Sequence, residues 1–300
     1  MPELPEVETL RRQLRPHLEG RSLAAVTVSD PRLCAPVPTA TLAARLRGRT
    51  VTSVERRGKY MLWSLDNGAW LALHLRMTGN LFLTTASRAP HERARFAIDR
   101  DLAVAFCDPR RFGTARLFAD GEELAAQLLD RLGPEPLSDA FDATVLARAF
   151  ARRRAPVKAL LLDQRTVAGI GNIYADEALF RAGIHPARPA GGLRRRDLER
   201  LVAGIRDALH AGIEHGGASI DDFRHADGRR GNFQNEFLVH RRAGLPCPRC
   251  GTAVRKERIA GRGTYFCGRC QAASRSRKRP ARSAASSSLK PPTDRPPTTT

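Results

Sequence analysis

The sequence predicts an α+β protein, with a β-rich first part, a helical second part and a metal-stapled end. Three observations carry this. Short strand-like runs follow one another from Ser22 to Phe118, divided by turn signals such as Asp66-Asn67-Gly68. After Gly133-Pro134-Glu135-Pro136 the pattern turns helical, with apolar residues three and four apart at Leu198, Leu201, Ile205 and Leu209. Near the end stand two Cys-X-X-Cys knuckles, Cys247/Cys250 and Cys267/Cys270, with sixteen residues between them.

A helix over Pro5 to His17 opens the chain. Pro5 suits its first turn, Glu6 and Glu8 suit its positive end, and Gly20 stops it. Strands are expected over 22–28, 50–56, 59–65, 70–75, 80–83, 95–99, 103–106 and 115–118, with helices inserted over 41–46 and 122–129. Strands this short suggest a sandwich or a barrel. Residues 141–215 read as helices. Among them, Val167 to Tyr174 forms a glycine-hinged turn that opens a helix. It is either a tight interhelical turn or a close approach of backbone to a ligand, with helix N–H groups free for an anion. The polar, glycine-rich stretch from Gly216 to Asn232 reads as a mobile surface loop, and the Ser/Arg/Pro/Thr chain from Ala272 as a disordered basic tail. The expected domains are 1–132, 133–240, a finger at 241–271 and a tail at 272–300.

Three hundred residues allow two ordinary domains. There are 51 Lys plus Arg against 31 Asp plus Glu, a formal charge of +20, and Arg dominates. That balance predicts a polyanion as partner. No apolar run is long enough for a membrane span, and acidic residues stand where a signal peptide needs a basic start, so a cytosolic protein is expected. Cys34 and Cys107 read as ordinary thiols. The other four cysteines fit one structural Zn2+ held by four thiolates, with an iron–sulfur cluster or redox pair as the alternative. Arg255, Lys256, Arg258 and Arg262 surround a hairpin tip between the knuckles, where they can reach phosphates.

Pro2 adds a chemical possibility. A small second residue favours removal of Met1, which leaves Pro2 with a free secondary amine. An α-amino group titrates near pH 8, so part of it is neutral and nucleophilic at pH 7. It could form a Schiff base with an aldehyde-like carbon, beside the carboxylate of Glu3. Read alone, the same residues merely start a helix.

These motifs together resemble bacterial formamidopyrimidine-DNA glycosylase. The matching segments are Met1-Pro-Glu-Leu-Pro-Glu-Val-Glu-Thr9, His74-Leu-Arg-Met-Thr-Gly79 and Asp108-Pro-Arg-Arg-Phe-Gly113. Leu132-Gly-Pro-Glu-Pro-Leu137, Gly169-Ile-Gly-Asn-Ile-Tyr-Ala-Asp-Glu177 and the four-cysteine finger complete the set, over residues 1–271. The resemblance implies an N-terminal eight-stranded β-sandwich with flanking helices, then a helix–two-turn–helix domain and the finger, with DNA in the basic cleft between them. It implies Pro2 as nucleophile, Glu3 as acid/base partner and Lys59 near the damaged nucleotide. Asn172 and Arg262 match residues on the flanking phosphates, and Lys158 one close to phosphate. Met77, Arg110 and Phe112 match the trio that fills the hole left by the extruded base, and His74 belongs to the same DNA-facing motif. The loop 216–232 resembles one that closes over an extruded purine.

The activity implied is excision of 8-oxoguanine and formamidopyrimidines from duplex DNA, followed by strand cleavage through β,δ-elimination, by a monomeric bacterial cytosolic enzyme. Endonuclease VIII, the sister enzyme for oxidised pyrimidines, and a non-catalytic lesion binder are the alternatives. One departure stands out: Val239-His-Arg-Arg242 replaces the usual Val-Tyr-Gly-Arg.

Overall fold

The structure, a computed structural model, describes residues 1–98 and 101–273. The tail reading therefore lies outside the described residues from 274 onward.

Helix α1 (Leu4–Leu18) begins in a reciprocal capping box between Glu3 and Glu6, with the Glu3 N–H donating to the Glu6 carboxylate at 2.8 Å. Its apolar residues divide between two cores. Val7, Leu10, Leu14 and Leu18, three and four apart, pack into the β layers, whereas Leu4 packs among the later helices. The start of α1 thus lies on the seam between the two bodies.

Next come β1 (Ala25–Val28), α2 (Pro31–Cys34), α3 (Thr39–Leu46), β2 (Val51–Arg57), β3 (Tyr60–Leu65), β4 (Trp70–His74), β5 (Asn80–Thr84), β6 (Glu92–Ala97), β7 (Ala103–Cys107), β8 (Thr114–Phe118) and α4 (Gly121–Gln127). The strands form two separate antiparallel sheets, ordered β1-β6-β7-β5 and β2-β3-β4-β8. This is a sandwich, which settles the choice left open with a barrel. Trp63 of one sheet meets Phe96 of the other edge-on, with ring centroids 5.1 Å apart. Helix α2 was not foreseen; four residues are too few to show a period, and Asp30 caps it at the Arg32 N–H.

The helical body comprises α5 (Ala143–Phe150), α6 (Val157–Leu162), α7 (Asn172–Ala182) and α8 (Arg195–Glu214). Helices α7 and α8 lie so close that a Cβ on Gly212 would sit 2.4 Å from the Tyr174 ring. The finger hairpin, β9 (Arg255–Ile259) with β10 (Arg262–Phe266), docks on α7. Val239, Val254 and Cys267 pack on Phe180, and the Arg249 guanidinium lies 4.5 Å over its ring. Among the described residues no helix is long and apolar enough to cross a membrane.

Candidate active site and DNA-facing surface

The start of the chain is threaded into this seam. Leu4 N–H donates to Gly169 O at 3.0 Å, and the Glu3 carboxylate reaches the first turn of α7. One of its oxygens accepts from Gly171 N–H at 2.6 Å, the other from Ile173 N–H at 3.0 Å. A helix N-terminus offers unpaired N–H groups and a positive dipole end, so it favours a carboxylate there. The glycine-hinged turn therefore receives an anion from its own chain. A Cβ on Gly171 would lie 2.3 Å from the Glu3 carboxyl carbon, and Gly169, at φ +86°, leaves no room beside Leu4.

Glu6 forms a second layer that the sequence reading missed. It accepts from the Glu3 N–H, from the Tyr174 hydroxyl at 2.8 Å and from Ala218 N–H at 2.8 Å. One buried carboxylate thus joins α1, α7 and the loop after Gly217. Burial first, and Glu3 second, raise its pKa. The Glu-X-X-Glu spacing of a capping box was the available signal.

Pro2, Glu3, Lys59, Met77, Asn172 and Arg262 line one cavity of about 270 Å³, together with Met1 and residues 220–223 of the loop. Lys59 is buried, and burial pulls its pKa down, against the opposing pull of Glu3 and Glu6. Burial likewise lowers His74, to about 3, with Arg76 and Lys59 adding to it. The neutral ring accepts the Arg76 N–H on Nδ1 at 2.9 Å and lies edge-on to Tyr60, so His74 shapes its turn from within.

Met77, Arg110 and Phe112 are exposed, and the Arg110 guanidinium lies 4.9 Å over the Phe112 ring. Asp108 fixes their loops. Its carboxylate accepts from Phe112 N–H at 2.8 Å, Gly113 N–H at 2.7 Å, Arg110 N–H at 3.2 Å and the Thr78 hydroxyl.

Lys158 departs from its expected place beside a DNA phosphate. The side chain is fully buried, with its ammonium 2.7 Å from Asp176 and donating to Gly263 O and Thr264 Oγ1. A cation already paired and removed from solvent supports the finger hairpin from beneath. Asn172 Nδ2 also donates to Gly263 O, at 3.1 Å, so α7 holds the strand bearing Arg262. His240, in place of the usual Tyr, joins the same group through Nδ1 to Asp176 at 2.9 Å and packs edge-on against Phe237 and Tyr265.

The sulfur atoms of Cys247, Cys250, Cys267 and Cys270 all lie within 4.8 Å of one another. Cys247 and Cys270 are 3.8 Å apart, Cys250 and Cys267 3.5 Å. A tetrahedral site with Zn–S bonds of about 2.3 Å needs sulfurs about 3.8 Å apart, so the donor set fits one structural zinc. Backbone N–H groups of Arg249 and Cys270 point at the sulfurs of Cys247 and Cys267.

A basic, zinc-braced chain with its own start built into the cleft defines a DNA-processing enzyme. Residues 1–115 match the model of the formamidopyrimidine-DNA glycosylase N-terminal domain, 132–224 that of the formamidopyrimidine-DNA glycosylase H2TH domain, and 244–273 that of the zinc finger found in FPG and IleRS. The chain belongs to the formamidopyrimidine-DNA glycosylase family, DNA glycosylases of base excision repair. It is 48% identical over 273 residues to the formamidopyrimidine-DNA glycosylase of Halorhodospira halophila, covering 90% of this chain and all of that one. The crystal structure of MutM (FPG) from Thermus thermophilus aligns at TM-score 0.81 and 45% identity, over 90% of this chain and 98% of that one. Lactococcus lactis Fpg in complex with DNA containing an abasic site aligns at TM-score 0.84 and 35% identity, over 90% of this chain and all of that one.

Proposed function

We propose that this chain excises oxidised purines, 8-oxoguanine and formamidopyrimidines, from duplex DNA through Pro2, and then cuts the strand. The observation that carries the reading is the joint placement of Pro2, Glu3 and Lys59 on one cavity, with Glu3 clamped by Gly171 and Ile173. The nucleotide must first leave the stack, at a cost of a few kcal/mol. Met77 and Phe112 would fill the space, and Arg110 would face the orphaned base, which offsets part of that cost. Arg262 and Asn172 would grip the flanking phosphates.

With Met1 removed, the Pro2 nitrogen attacks C1′, the bond from C1′ to the base breaks, and the base leaves with a proton. Lys59 lines the same cavity, and because burial lowers its pKa, its ammonium gives up a proton more readily than an ordinary lysine's. Glu3 assists opening of the sugar ring, and the resulting iminium acidifies the C2′ proton. Loss of that proton expels the 3′ phosphate, and a second elimination expels the 5′ phosphate. Water then releases Pro2. The enzyme works as a monomer on DNA in the bacterial cytosol. Residues 1–132 and 133–240 act as the two jaws, 241–271 as the finger, and 272–300 as a dispensable basic extension.

Borohydride trapping on duplexes carrying different lesions tests this. Wild-type protein should form a covalent adduct fastest with oxidised purines, and Pro2→Gly should lose it while still binding duplex. A form with Pro2 blocked by an N-terminal tag that traps at the normal rate would overturn the role of Pro2. Faster trapping on oxidised pyrimidines would assign the endonuclease VIII type of substrate instead.

A further inference from the structure

At Arg241 this chain carries a long cation where its family resemblance predicts glycine, and the backbone has kept the glycine conformation, at φ +57°. The side chain reaches back over the cavity. Its Nη2 lies 3.4 Å from Asp221 Oδ1, and both residues line the cavity that holds Pro2, Glu3 and Lys59. Asp221 belongs to the loop 216–232. On the sandwich side that loop is pinned by neutral hydrogen bonds, with Asn80 Nδ2 donating to Asp222 O at 2.9 Å and Asn80 Oδ1 accepting from Arg224 N–H at 3.1 Å. Gly216 and Gly217, at φ +68° and +77°, make the turn at its root, with their N–H groups donating to Ile213 O and Gly212 O at 3.1 and 2.7 Å.

On the opposite side the base of the strap is firm. The N–H groups of Val239 and His240 donate to the buried Glu177 carboxylate at 2.9 and 3.0 Å, and the His240 ring is held by Asp176.

We propose that Arg241 is a positioning residue that straps this loop over the cavity through Asp221, and so holds an extruded base in place for attack. The proposal rests on the glycosylase reading above. The charges are 53% and 67% exposed, so the strap is weak in open water and can release. A base that fills the cavity and expels water strengthens the same pair, since Coulomb attraction rises as the local dielectric falls. A filled cavity therefore holds the strap more tightly than an open one.

The test compares Arg241→Gly, Asp221→Asn and the exchanged pair R241D/D221R with wild type. Arg241→Gly should melt no lower than wild type, because glycine suits that backbone. The ratio of single-turnover 8-oxoguanine excision to cleavage of a preformed abasic site should fall roughly two- to fivefold in each single variant, the size of an exposed ion pair. The exchanged pair should recover most of it. High salt should bring wild type down to the variants. A purely structural loss would lower both activities alike. An unchanged ratio in Arg241→Gly, or an exchanged pair no better than the single variants, would overturn the strap. Wild-type protein that leaves both duplexes intact would instead sink the glycosylase reading, and the strap with it.

Discussion

Two buried carboxylates hold the two walls of the cleft, and they do so with opposite electrostatics. On the sandwich wall, Asp108 is surrounded by neutral donors, three backbone N–H groups and the Thr78 hydroxyl. On the finger wall, Asp176 takes the Lys158 ammonium, the His240 ring and the Tyr265 N–H. Each anchor holds a segment that carries exposed residues: Arg110 and Phe112 in one case, Arg262 in the other. Losing Asp108 strands dipoles, whereas losing Asp176 strands a charge, and a stranded buried charge is the more costly.

The largest expected effect follows from that difference. Asp176→Ala should lower stability by about 3–5 kcal/mol, because Lys158 is left unpaired in the interior. Urea unfolding measures it, and the apolar pair K158M/D176L should recover most of the loss. A single-variant loss below about 1 kcal/mol would mean the finger wall is no more charge-dependent than the other.

Asp108→Asn should cost less, about 1–3 kcal/mol, since its amide group can no longer accept from every N–H in the loop. If it costs more than Asp176→Ala, the comparison is reversed. Phe112→Ala should be the smallest, within about 0.5 kcal/mol at a site that is 51% exposed. Under the wedge role proposed for Phe112, single-turnover excision should nevertheless drop clearly. A stability loss equal to that of Asp108→Asn would show that Phe112 is part of the scaffold.

What was legible in the sequence depended on how local the signal was. Short strand-like runs and turn residues marked the strands, and the Cys-X-X-Cys spacing marked the zinc ligands, since both are set by neighbours along the chain. The partners of Lys158 were not legible. They stand 18 and more than 100 residues away, and the phosphate role expected of Lys158 came from the family resemblance alone. Gly169 and Gly171 were read as a tight turn or as a close approach of backbone to a ligand, whereas their visitors are Leu4 and Glu3 from the far end of the chain. Asp108 and Asp176 lay inside recognised motifs and still went unread, because an anchor differs from its neighbours only in the donors that fold around it.

The clamp on Glu3 also orders events during synthesis. Pro2 and Glu3 are among the first residues made, yet the N–H groups that clamp Glu3 belong to Gly171 and Ile173, 168 and 170 positions later. Arg262 arrives later still. A ribosome must therefore pass residue 173 before Glu3 has its socket, and a chain broken off before residue 171 has no clamp for that carboxylate.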